Sequence, residues 1–175
     1  MLAAYGGLLG GHPGGPAGLD YFREGAPRDR QRKLFEAQLE LATELGKPVV
    51  IHTRDADADT ADVLAGFDGT VVMHCFSSPG LVQTVVDRGY YVSFAGNVTY
   101  PKAADLRAAA AQIPAERILA ETDSPYLAPQ ARRGRPNEPA NVVLTIAELA
   151  KARGEDAEEL AARIDANATV AFSLP

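Results

Sequence analysis

The sequence predicts an α/β fold in which parallel strands alternate with helices, and three short strings carry that reading. VVIHT, VVMHC and ILAETD each have the β-branched, apolar character of a buried strand. Each also delivers a metal-type ligand at or beside its carboxyl end: His52, His74 and Asp123. In parallel β/α architectures the site forms where the carboxyl ends of several strands meet, so its ligands are separated by whole β/α units. From His52 to His74 is one such unit, and from His74 to Asp123 is two. Ligands so placed point to a metal-dependent hydrolase. A complete eight-unit barrel needs about 250 residues, and the chain has 175. The scaffold is therefore either an incomplete barrel or something smaller.

The elements follow in order along the chain. Residues 1 to 18 hold seven glycines and two prolines, a composition that reads as a loop or tail without regular structure. On this reading residues 1–17 stand apart from a domain covering 18–175. From Pro27, Leu34, Phe35, Leu39, Leu41, Ala42 and Leu45 recur at helical spacing until Gly46 and Lys47-Pro48 stop the helix. KPVVIHT is a strand, and Asp57 to Phe67 a helix. TVVMHCF, residues 70 to 76, repeats the strand. Pro79 opens a helix through Val86, Gly89 ends it, and residues 90 to 97 form the next strand. A helix rich in alanine follows over 102 to 112, then the strand RILAETD over 117 to 123. SPYLAPQARRGRPNEP is a long loop, and helices near 139 to 153 and 156 to 171 close the chain. Strands and helices at this rhythm imply parallel pairing.

Composition narrows the class. Hydrophobic residues make up 46% and charged residues 23%, ordinary for a globular protein, and no apolar run approaches the roughly 20 residues that span a bilayer. The first residues lack the basic start of a signal peptide and Cys75 is the single cysteine, which together favour the cytoplasm. A net charge of −6 opposes broad attraction to nucleic acid, although metal ions and a local basic patch can recruit phosphates despite it.

Imidazole nitrogen and carboxylate oxygen suit Zn²⁺, Mn²⁺ and related ions. His52, His74 and Asp123 supply a minimal set. Asp123 also has a bland use as a cap before Ser-Pro, and its functional use is to bind metal or to orient and deprotonate water. Glu121 is placed to share that site. Arg132, Arg133 and Arg135, in the long loop, match phosphate geometry; the alternative is an ordinary solvated loop. Strand alternation sends Cys75 to the face opposite His74, into the core. Glu138 either works at the site or caps the helix that follows it, and the cap is the favoured reading.

GLDYFRE, PVVIHTRDA, VMHCFSS, VSFAGNVTY, ETDSPYLAP and the closing NATVAFSLP, taken in series, resemble the TatD family of metal-dependent hydrolases over residues 18–175. The resemblance implies a (β/α)8 TIM-type barrel, one or two divalent ions (Mg, Mn or Zn) and hydrolysis of DNA phosphodiester bonds through a metal-bound water, a deoxyribonuclease activity. It carries His52 and His74 onto two of the family's histidine ligands and Asp123 onto its ligand or catalytic aspartate. The chain departs from the pattern in lacking the family's early His-x-His pair and in placing Pro16 where a glutamate is expected; its remaining histidine is His12. On this reading the barrel is incomplete, with its first two strands missing and its third replaced by glycine-rich sequence. Two alternatives follow: a catalytically impaired, truncated remnant, or a hydrolase of a small phosphoester or amide. An open barrel edge also invites a homo-oligomer in which a second copy covers it.

Overall fold

Parallel pairing needs a crossover between strands, and the helices supply one each time. The computed structural model describes residues 17–22 and 25–175, which fall into two compact units, up to His74 and from Cys75. His12 and Pro16 lie outside the described residues.

In the first unit the strands β1 (Ala17–Asp20), β2 (Val49–Arg54) and β3 (Val71–Met73) pair in parallel, with α1 (Arg28–Leu45) and α2 (Asp57–Leu64) between them. β1 corrects, at Ala17 and Gly18, the expectation that residues 1 to 18 have no regular structure. The register sets Gly18 opposite His52, and Ala17 and Leu19 are buried on alternate positions. Gly18 is possible there because it has no Cβ: its φ is +127°, and a Cβ would fall 2.0 Å from the His52 carbonyl oxygen. α1 buries Phe35, Gln38, Leu39 and Ala42, a stripe at helical spacing. Leu34, Leu41 and Leu45, expected on the same face, are exposed, because these side chains lie off that stripe.

In the second unit β4 (Tyr91–Phe94) and β5 (Ile118–Ala120) pair in parallel, Phe94 opposite Ala120. α3 (Val82–Asp87) and α4 (Ala104–Gln112) lie before and between them, and α5 (Val142–Arg153) and α6 (Ala157–Phe172) follow. Five strands are thus present among the described residues, where sequence patterning predicts four. The strands are shorter than predicted. β3 ends at Met73 and β5 at Ala120, so His74 and Asp123 stand past their strands rather than on them.

α6 is tied to the strand by one side chain. Asn167, buried, donates from Nδ2 to the carbonyls of Ala115 and Ile118 at 2.8 and 2.9 Å. Arg153 does the same for α4, donating from Nη1 to Ala110 O and to Ile113 O at 2.7 Å, while its own charge meets Glu155 at 2.8 Å. Buried carbonyls that lose a donor keep the desolvation cost of burial. Asn167→Ala is therefore expected to lower unfolding stability by about 1–3 kcal/mol in urea titration, and an unchanged midpoint would show that water replaces both bonds.

Candidate metal centre

His52 occupies the fourth position of β2, half-buried and directly across from Gly18. Its Nε2 lies 3.3 Å from Asp20 Oδ2. The backbone of Asp20 is held in turn by Gln31 of α1, whose Oε1 accepts from Asp20 N at 2.9 Å and whose Nε2 donates to Asp20 O at 3.0 Å. An imidazole with one nitrogen on a carboxylate has its tautomer set and presents the other nitrogen outward. Burial pushes the His52 pKa below its ordinary value, with the neighbouring His74 acting the same way, although the Asp20 charge opposes the shift. The neutral ring that results is the form able to ligate a metal.

His74 is the last residue of the first unit. It follows β3 directly, and its N–H continues the ladder to Ile51 O at 2.9 Å. Its ring centroid lies 6.3 Å from that of His52. The structure thus brings together both sequence-predicted histidines and adds Asp20. The patterning gave no role to Asp20. No local signal pointed to it, because the pairing that sets Gly18 opposite His52 and ends β1 at Asp20 emerges only in the folded sheet.

In the second unit Glu121 and Asp123 follow β5, each half-buried, with a carboxylate oxygen of each within 4.8 Å of the other. Glu121 N–H extends the pairing to Phe94 O at 2.9 Å, and then the chain leaves the sheet: Asp123 has φ +55°. Aspartate tolerates this left-handed region better than most residues, which suits it to the bend. Asn137 clamps the loop that follows. Buried, it donates from Nδ2 to Thr122 O and Tyr126 O, both at 2.8 Å, and its Oδ1 accepts from Asn141 Nδ2 and Glu138 N.

Two expectations fail here. Glu138 makes no side-chain capping bond and is exposed; Asn137, its neighbour, supplies the hydrogen bonds instead. Cys75 is half-buried in a turn at φ +46°, because β3 stops before it and strand alternation no longer governs its side chain. The three arginines are exposed. Arg133 packs over the Tyr100 ring at 4.6 Å and donates to its hydroxyl at 2.8 Å. Arg132 sits in a 3-10 turn after Pro129 and Arg135 just beyond it.

Comparisons with known proteins place the chain in a family. The pattern of the family described as TatD related DNase matches residues 15–173. The chain is 42% identical over 151 residues to the metal-dependent hydrolase YcfH of Escherichia coli strain K12, covering 84% of this chain and 57% of that protein. It is 38% identical over 169 residues to the 3'-5' ssDNA/RNA exonuclease TatD of Citrobacter koseri, covering 91% and 65%. The crystal structure of YJJV, a TatD homologue from Escherichia coli K12, superposes with a TM-score of 0.85 at 34% identity, over 92% of this chain and 63% of that one. The chain thus spans about three fifths of the length of the curated relatives it matches. No helix among the described residues is long and apolar enough to cross a membrane.

The electrostatics of His52 can be tested in the metal-free chain. Its ring proton titration, followed by NMR, is expected at a midpoint below that of free histidine. Asp20→Asn removes the nearby charge that, among the described residues, favours the imidazolium, so the midpoint falls further. A midpoint that rises in the variant would contradict the assigned balance.

Proposed function

Because the chain belongs to the TatD related DNase family, we propose that it is a metal-dependent hydrolase of DNA phosphodiester bonds whose divalent ion is held by His52, His74 and Asp123. The observation that carries the proposal is the pair of half-buried imidazoles with ring centroids 6.3 Å apart. Nitrogen donors of this kind and the carboxylates of Glu121 and Asp123 fit a divalent ion in ligand chemistry, and Mg, Mn and Zn all accept some or all of them. When bound, the ion supplies Lewis-acid stabilisation of charge on a phosphoryl oxygen.

The remaining work falls to the chain's own side chains. Asp20 orients the His52 ring through Nε2 and so keeps its other nitrogen available. Asp123, on its left-handed bend, orients the attacking water and takes its proton, and Glu121 adds negative charge beside it. Arg132 and Arg135 are exposed forks that hold the flanking phosphates. The name of the Citrobacter koseri relative supports a nucleic acid as substrate. The net charge of −6 is the observation that favours a smaller phosphoester instead.

A metal-stripped preparation given Mg²⁺, Mn²⁺ or Zn²⁺ separately is expected to cleave a labelled oligonucleotide with at least one of them. His74→Ala and Asp123→Asn are each expected to reduce kcat/KM by about 10²–10⁴-fold. The supporting ion is also expected to raise the unfolding temperature of the native chain, and to raise that of His74→Ala less, since a ligand bound to the folded state stabilises it. Cleavage that survives either substitution unchanged would refute the ligand assignment.

A further inference from the structure

Alternation along the ends of β1 and β2 sorts the side chains of the first unit onto two faces. Tyr21 and Thr53 turn toward α2: the Tyr21 hydroxyl donates to Asp59 at 2.6 Å, and Thr53 Oγ1 lies 2.9 Å from Thr60 Oγ1. Asp20, Phe22, His52 and Arg54 take the other face, the one that carries the contact between Asp20 and His52. Arg54 is the last residue of β2 and stands two positions beyond His52, about 7 Å along the strand. Tyr21 N–H donates to Arg54 O at 2.9 Å and Phe22 N–H to Asp20 Oδ1 at 3.0 Å, which brings Phe22 beside Arg54. The Arg54 guanidinium lies over the Phe22 ring, 3.6 Å from its centroid, and that ring is 60% exposed.

This pair differs from the guanidinium–ring pairs of the second unit. Arg88, Arg117 and Arg133 each donate to the hydroxyl of the tyrosine they accompany, at 3.2, 2.9 and 2.8 Å. Phe22 has no hydroxyl to accept. Among the described residues the half-buried Arg54 side chain makes no hydrogen bond and no ion pair. Stacking engages the face of a guanidinium and leaves its N–H donors in the plane, so the ring fixes the plane of the fork without occupying it. An oriented fork with all its donors open matches the oxygens of a phosphate. The same stack on the α2 side of the strands would be a packing contact alone. Here it opens on the face that carries His52.

We propose that Arg54, held flat by Phe22, is a phosphate-binding fork on the His52 side of the site. It takes the anionic oxygens of a substrate phosphodiester. The assignment rests on the hydrolytic reading for the identity of the substrate. It adds a cation from the first unit, where the sequence nominates only the arginines of the loop after β5.

The test is anion binding to the metal-stripped chain in EDTA, so that neither metal nor cleavage intervenes. Dimethyl phosphate and inorganic phosphate are the probes, and the readout is the NMR signal of the Arg54 Nε–H, identified by its loss in Arg54→Lys. Both probes are expected to shift that signal saturably. Phe22→Ala is expected to weaken dimethyl phosphate binding by about 2- to 5-fold, and Phe22→Trp to preserve it. In oligonucleotide cleavage with the supporting ion, Arg54→Ala is expected to raise KM by about 10- to 100-fold, with Arg54→Lys recovering part of the loss. Unchanged unfolding curves for these variants exclude a folding effect. The proposal falls if neither probe moves the Arg54 signal, if inorganic phosphate alone moves it, or if Arg54→Ala leaves KM unchanged. The two readings fail separately: DNA cleaved with no dependence on Arg54 removes the fork and leaves the hydrolase. Dimethyl phosphate bound through Arg54 by a chain that cleaves no DNA removes the hydrolase and leaves the fork.

Discussion

The carboxyl end of a parallel strand is where backbone pairing stops, and the candidate chemistry of this protein depends on where it stops. β3 ends at Met73 and β5 at Ala120. In each case one further residue keeps a ladder hydrogen bond, His74 to Ile51 and Glu121 to Phe94, before the chain turns away. The turns pass through left-handed backbone at Cys75 and Asp123, and β2 is followed by another at Asp55. Such conformations cost about 1–3 kcal/mol for residues with a side chain, and they persist only when neighbouring bonds over-determine them. Around Asp123 those bonds are visible: Tyr126 N–H on its carbonyl, and Asn137 on the carbonyls of Thr122 and Tyr126.

A different constraint places His52. The β1 backbone approaches it so closely that only glycine fits at position 18, and the end of β1 brings Asp20 to the imidazole. Gln31 then fixes Asp20 by a reciprocal amide pairing, so α1 supports the histidine through two intermediaries. This chain of dependence gives the polar residues at the strand end a packed support, as precise positioning requires.

Most helices were legible in the sequence because their signals are local. The stripe of α1, the stop at Gly46 and the alternation of strands with helices follow from periodicity and capping, and the first two settle α1 within a residue or two of its predicted limits. The strand limits were less legible. VVMHCF continues the apolar pattern past Met73, yet pairing ends there, because a ladder requires a partner and pattern alone does not reveal its length. β1 was hidden for a related reason: a glycine-rich segment has little strand propensity, and its pairing with β2 supplies what propensity does not. The same applies to Asn137. Its neighbour Glu138 carried the more familiar capping signal, whereas the bonds of Asn137 reach 11 and 15 residues back along the chain.

The sequence by itself determined the α/β class, the helix positions and the two histidines and one aspartate near the carboxyl ends of its strands, since these depend on side-chain periodicity and on chemistry carried by single residues. Tertiary structure alone decided that Asp20 meets His52, that Asn137 clamps the loop after Asp123, and that Tyr126 stands in solvent on a fixed backbone. Each of those facts arises from a contact or an exposure created by pairing and packing, which no local pattern encodes.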